Sequence, residues 1–297
     1  MPVARPRRYA QVDVFTARAG YGNPLAVVFD ADDLDSAAMQ HFAAWTHLSE
    51  TSFVLAPSDA RADFRLRIFT PRSELPFAGH PTVGTTYAVL AAHPQWAGRD
   101  SLVLECAAGL LPASIERGAR TRIFVLAPPA TLEPVDAFAA DFAHALGEAL
   151  PAAASLGLVD VGARWLIAEL ADAGAVRRLA PDLGAIATAT PRARAAGLAV
   201  FGREHGGDAA IAVRAFCPAD GINEDPVTGS ANAAIGAWLF ANGRLSSAGL
   251  RYRASQGREV GRDGYVDVIV DAADGRVRIG GDCVTCIEGT LEYGGTS

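Results

Sequence analysis

Short apolar runs bounded by glycine, proline or polar turns recur along the chain, and their length and composition predict strands. In the first half these are QVDVF, PLAVVFD, TSFVLAP, FRLRIF, SLVLE and TRIFVLA. In the second they are RWLIAEL, AGLAVFG, AAIAVRAF, YVDVIV and VRIGG. A period near 3.6 replaces this pattern in a few places. DLDSAAMQHFAAWTHL carries Leu34, Met39, Phe42 and Trp45 at helical spacing behind acidic start residues. A second helix is predicted after His80, with Pro81 first and Val83, Tyr87, Leu90 and Ala91 on one apolar face. A third follows Asp225 and Pro226, carrying Ile235, Trp238 and Leu239. The Ala- and Pro-rich segment from Pro128 to Ala154 holds one more helix, VDAFAADFAHAL, and is the best place for a boundary. The expected organisation is two lobes, 1–130 and 131–297, each a sheet curled around or packed on its own helix, with the last strand free to pack back on the first lobe.

Two of these helix starts sit in stretches that resemble each other. FTPRSELPFAGHPTVG begins at Phe69 and FCPADGINEDPVTG at Phe216, an offset of 147; Pro81 and Pro226 are 145 apart. Each opens with F-x-P and ends in P-x-x-G followed by Thr85 or Ser230. Self-similarity at half the chain length predicts a duplicated domain, with the chemistry in a cleft between the copies. Proline is tolerated at a helix start because its missing N–H has no partner there. The first-turn N–H groups and the partial positive charge of a helix start suit a small carboxylate or a developing enolate. Gly84 and Gly229 would let such a ligand approach the backbone closely.

Composition narrows the function classes. In 297 residues, 26 Lys and Arg stand against 33 Asp and Glu, for a net charge of −7. This balance argues against a nucleic-acid groove. AAIGAWLFA, the longest apolar run, falls well below the ~18 residues of a membrane span, and the basic start lacks the apolar stretch of a secretory signal. No membrane partner and a cytoplasmic location are therefore expected. Cys283 and Cys286 form a C-x-x-C without a second pair or a nearby histidine, so a structural role is expected and no metal. Residues three apart on a strand would point to opposite faces.

VDVFT…GNPLAVVFD, LSETSFVL, RIFTPRSELPFAGHPTVGT, NEDPVTGSANAA, SQGREVGR and RIGGDCVTCIEGTL together resemble the PhzF-like isomerases, named for the phenazine-biosynthesis enzyme. GHPTVGT with EDPVTGSA is a specific signal, and the resemblance covers nearly the whole chain. It departs in GRDGYVDVIV, which lacks Pro-Ser after Gly-Arg. The resemblance implies an α+β fold related to diaminopimelate epimerase, in which two similar lobes each wrap a barrel-like, mostly antiparallel sheet around a central helix. It also implies a homodimer that moves a proton within a small carboxylate-bearing substrate and needs no cofactor. Carried over by position, Glu50 is the catalytic acid and base, with His80 and Asp225 as its catalytic partners. Ser49, Gly79, Gly229 and Ser230 are the corresponding substrate-binding positions. Neither GHPTVGT nor EDPVTGSA contains a cysteine, which disfavours a two-thiol racemase.

The residues themselves leave blander alternatives open. Ser-Glu-Thr-Ser around Glu50 also reads as a solvated turn, His80 as a helix cap, Ser230 as a first-turn hydroxyl and Asp225 as an N-cap. Glu74 and Glu224 read as solvated loop charges, and Asn23 as a turn former. At the level of the whole protein, the alternatives are an amino-acid or hydroxy-acid epimerase acting at one carbon, or a catalytically silent protein that binds small acids.

Overall fold

A computed structural model describes residues 4–147, 156–245 and 250–294. The part of the expected boundary segment at 148–154 lies outside the described residues. The chain divides into two compact units, Met1–Leu126 with Gly280–Ser297, and Ala127–Ile279. Among the described residues no helix is long and apolar enough to cross a membrane.

In the first unit the chain order is β1 (Arg5–Val14), β2 (Asn23–Val28), α1 (Ser36–Thr46), β3 (Thr51–Leu55), β4 (Phe64–Phe69), β5 (Glu74–Leu75), α2 (Gly79–Ala92), β6 (Ser101–Cys106), β7 (Gly109–Arg117) and β8 (Thr121–Leu126). The chain's last strand, β17 (Val277–Tyr293), contributes its residues from Gly280 onward. β17 pairs with β1, β1 with β2, β2 with β3, β3 with β4, β4 with β6, β6 with β7, β7 with β8, and β8 with β17 again. The ring is a closed barrel and so leaves no edge among these strands. The pairs β2–β3 and β4–β6 are parallel, and their crossovers contain α1 and α2.

Helix α2 packs against β1, β2, β3 and β8 and is buried on nearly every side from Gly79 to Val89. The single apolar face expected from sequence is therefore replaced by burial all round. Threonine is an indifferent helix former, yet Thr82, Thr85 and Thr86 are all fully buried here. The Thr82 hydroxyl donates to Ala78 O and that of Thr86 to Thr82 O, both at 2.8 Å, which offsets the cost of burying these two, whereas Thr85 Oγ1 is buried without a hydrogen-bond partner. Helix α1 covers the barrel with Met39 and Phe42 against Val28, Phe53 and Phe69. Trp45, expected on that apolar face, is instead 71% exposed.

The second unit repeats the scheme with β9 (Thr131–Glu133), α3 (Ala139–Leu146), β10 (Leu156–Asp160), β11 (Arg164–Glu169), α4 (Ala173–Arg178), α5 (Leu183–Arg192), β12 (Gly197–Arg203), β13 (Ile211–Cys217), β14 (Ile222–Asp225), α6 (Gly229–Ala241), β15 (Arg251–Gln256) and β16 (Gly264–Val270). Pairing runs β9–β10–β11–β12–β13–β15–β16, and again two pairs are parallel, β11–β12 and β13–β15. Their crossovers contain α4 with α5, and α6. Helix α6 packs on β10, β11 and β16, as α2 does on its own sheet. Phe142, Leu146 and Ile186 of α3 and α5 build a separate core with Leu166, Leu198 and Phe216. The duplication legible in two motifs thus extends to strand order and to the position of each parallel pair.

Side-chain detail repeats as well. Arg67 grips Glu74 with two bonds of 2.7 and 2.8 Å and lies 5.1 Å from the Phe69 ring. Arg214 grips Glu224 at 3.0 and 2.7 Å and lies 5.0 Å from the Phe216 ring. Neither glutamate lies in a loop, because each ties a short returning strand to the strand before it; Glu74 is exposed as expected, whereas the Glu224 side chain is 8% exposed.

Candidate active site

The helix starts differ from the sequence expectation. Helix α2 begins at Gly79, so His80 is its second residue and Pro81 its third. Helix α6 begins at Gly229 with Thr228 as N-cap, three residues after Pro226. Gly84 therefore lies one and a half turns inside α2, where a Cβ would meet Val14 Cγ2 at 2.6 Å and Leu25 Cδ2 at 2.7 Å. It serves helix-to-barrel packing and not the approach of a ligand. Helices α1, α4 and α5 each start under an aspartate that accepts a first-turn N–H: Asp35, Asp172 and Asp182. Helices α2 and α6 have no side-chain cap bond, from Ala78 or Thr228 respectively. First-turn donors left without a cap keep their capacity for an anion.

Glu50 lies between the left-handed His47 (φ 56°) that ends α1 and Thr51, which opens β3. Its side chain is 18% exposed, and Oε2 lies 3.3 Å from Nδ1 of the 6% exposed His80. The contact is within ion-pair reach but is not aligned as a hydrogen bond, and Oε2 is a buried atom lacking a hydrogen-bond partner. Desolvation raises the Glu50 pKa from 4.5 to about 7, while a bond to Ser49 acts in the opposite direction. Ser49 Oγ lies 3.3 Å from Asn23 Oδ1, within hydrogen-bond distance. Asn23 is 1% exposed and opens β2, so it is a buried partner of this loop and not the turn former expected. The contact follows from the parallel β2–β3 register, which begins at Ala26 against Thr51 and which no local sequence pattern reveals.

Ser49, Glu50, Gly79 and His80 thus belong to the first unit, where the structure brings Glu50 together with Ser49 and His80. Asp225, Gly229 and Ser230 belong to the second. There Asp225 ends β14 and does not cap α6; its Oδ2 instead accepts a short bond from the Thr228 hydroxyl. Ser230 Oγ accepts from Trp165 Nε1 at 3.1 Å. Gln256 bonds both Asp225 and Thr228. Sequence reasoning quoted Gln256 within SQGREVGR but gave neither it nor Thr228 a role.

Among the described residues no group of three His, Cys, Asp or Glu side chains is placed to hold a metal ion. Cys283 is buried and Cys286 exposed, the latter at a register shift of β17 against β1, and none of the four cysteines forms a disulfide. None of them lies in the first turn of α2 or α6. Chemically, the first unit offers a carboxyl that changes charge near neutrality, beside an imidazole and an uncapped helix start. Such a group can accept a proton and return it at the same pH.

The family model described as phenazine biosynthesis-like protein (PhzC-PhzF) matches residues 12–289. The chain is 34% identical over 276 residues to trans-2,3-dihydro-3-hydroxyanthranilate isomerase of Pseudomonas aeruginosa, covering 91% of this chain and 92% of that protein. It is 36% identical over 290 residues to a Schizosaccharomyces pombe protein named antisense-enhancing sequence 1, covering 95% and 97%. A Bacillus anthracis crystal structure of the PhzF family superposes with a TM-score of 0.83 at 27% identity, covering 97% of this chain and 99% of that one. With the duplicated barrel and helix scheme on the same footing, this chain belongs to the phenazine biosynthesis-like (PhzC-PhzF) family and is an isomerase.

Proposed function

We propose that this isomerase moves a proton between carbons of a small carboxylate-bearing acid without a cofactor, with Glu50 as the group that carries it. The observation behind this reading is the Glu50 carboxyl, desolvated to a pKa of about 7 and 3.3 Å from His80. A base that takes hydrogen from carbon gains strength when desolvated, and a pKa near ambient pH lets the protonated form donate in the next step. Charge that develops on the substrate needs donors aimed at it. His80 and the uncapped first turn of α2, which includes Gly79, fill that role in this reading, and Ser49 orients Glu50. Asp225, Gly229 and Ser230 are assigned to the same substrate by family resemblance.

The relative that acts on trans-2,3-dihydro-3-hydroxyanthranilate makes this acid the first compound to test. In D2O the wild-type protein is expected to place deuterium on its carbon skeleton. Glu50→Gln should lower that rate by about 10²–10⁴-fold, the usual contribution of a positioned acid–base group. Wild-type exchange rates in Glu50→Gln would remove Glu50 from the mechanism. Product analysis separates the isomerase reading from epimerisation, which inverts one centre and leaves connectivity unchanged. Tight binding of an acid without exchange into it would point to a silent binding protein.

A further inference from the structure

SQGREVGR has no part in the chemistry above, and its first residues lie against the segment that carries Asp225. Gln256 ends β15 and is 1% exposed. Its Nε2 donates to Asp225 O at 3.0 Å and to Thr228 Oγ1 at 2.8 Å. Its Oε1 accepts from Thr228 N at 3.0 Å and from Asn232 Nδ2 at 3.1 Å. A primary amide has two N–H donors and two acceptor lone pairs, so this side chain is satisfied in full. Turning the amide over would set Oε1 against the Asp225 carbonyl and Nε2 against the Thr228 N–H, so the network itself fixes which atom is which.

The polarity of the network has a consequence at Asp225. A threonine hydroxyl holds one proton. Because Gln256 Nε2 donates to Thr228 Oγ1, that proton is directed onward to Asp225 Oδ2, where the bond is short. In the order amide, hydroxyl, carboxylate each N–H or O–H donor meets an acceptor. Glycines also pack closely against Pro226 and Val227, the two residues between Asp225 and Thr228. A Cβ on Gly257 (φ +99°) would come within 2.4 Å of Pro226 O, and one on Gly264 within 2.2 Å of Val227 Cγ2.

We infer that Gln256, acting through Thr228, is a positioning device for the Asp225 carboxylate. The inference rests on the reading above that Asp225 takes part in the reaction. Loss of the hydroxyl removes the bond that orients Asp225 Oδ2, and misplacement of a reacting group by about 1 Å costs on the order of 100-fold in rate.

The test compares Thr228→Val, Thr228→Ser, Gln256→Leu and Asp225→Asn, with trans-2,3-dihydro-3-hydroxyanthranilate in D2O as the probe. Valine keeps the shape of threonine and its N–H, which separates the hydroxyl from folding. Thr228→Val should lower kcat by about 10–100-fold while KM changes by less than about 3-fold, and Thr228→Ser should restore kcat to within about 3-fold. The double variant Thr228→Val/Gln256→Leu should be no slower than the slower single variant, because both break one chain of bonds. If Asp225→Asn is inactive while Thr228→Val is as fast as wild type, the positioning role is overturned and the place of Asp225 stands. If Asp225→Asn is itself as fast as wild type, the reading of Asp225 fails. Crystal structures of wild type and Thr228→Val decide the question without any substrate: a carboxylate turned away from its wild-type plane, over an unchanged start of α6, is expected. An unmoved Asp225 carboxylate would overturn the inference.

Discussion

One carboxyl, that of Glu50, links stability and activity through the same physical term. Its folded pKa of about 7 lies above the unfolded value of 4.5, so the fold favours the neutral acid. The stability this contributes is complete below pH 4.5 and is lost as pH rises towards 7. At 1.36 kcal/mol per pKa unit the loss is about 3 kcal/mol. Glu50→Gln cannot ionise, so it should match wild type near pH 4.5 and exceed it by up to about 3 kcal/mol at pH 8 in urea unfolding. A variant with the same pH dependence as wild type would place the titration elsewhere. Catalysis runs in the opposite direction, since abstraction needs the ionised form, and wild-type kcat/KM should climb through pH 7 and then level off. Sequence marked Glu50, Ser49 and His80 as candidates through motif resemblance. It could not reveal Asn23, because a residue at the start of β2 meets Ser49 only through a strand register.

Among the elements, the two central helices show where propensity and packing disagree. Glycine inside a helix costs about 0.5–1 kcal/mol relative to alanine, so propensity alone predicts that Gly84→Ala stabilises. The barrel wall says otherwise, because the new Cβ would sit 2.6 and 2.7 Å from Val14 and Leu25 side chains. Overpacking of this kind costs about 1–3 kcal/mol, which outweighs the gain. Thermal unfolding of Gly84→Ala should therefore show a lowered Tm, and a raised one would refute the close contact. The two arginine–glutamate pairs provide a second comparison. Arg214 and Glu224 are 9% and 8% exposed, against 18% and 36% for Arg67 and Glu74. Arg214 also donates to Leu179 O at 2.6 Å. Removal of one partner of a buried pair costs about 3–5 kcal/mol, whereas an exposed pair contributes about 1 kcal/mol or less. Glu224→Ala should destabilise clearly more than Glu74→Ala in urea unfolding; equal effects would contradict the difference in burial. Most strands were legible from their apolar runs. β5, β7, β9, β10, β14 and β15 were not: Pro112 interrupts β7, arginines and polar residues dominate β15, and β5, β9 and β14 are only two to four residues long. The helix starts were misplaced for a similar reason: Pro81 and Pro226 look equivalent in sequence, but α2 starts two residues before its proline and α6 three residues after its own.

At the scale of the molecule, family resemblance proposes a homodimer, which light scattering after gel filtration would report as twice the 30.9 kDa chain mass. A mass of one chain across the micromolar range would reject that proposal. By itself the sequence determined the internal duplication and the strand-rich halves with one motif-bearing helix start in each, and it named candidate residues for the chemistry. These rest on local signals: apolar runs, glycine and proline punctuation, and repeated motifs. Tertiary structure alone decided that β17 returns to the first unit, that Glu50 loses enough water to titrate near neutrality, and that Gln256 and Thr228 hold Asp225. Each depends on contacts between residues distant in the chain, and desolvation and hydrogen-bond polarity exist only once those contacts have formed.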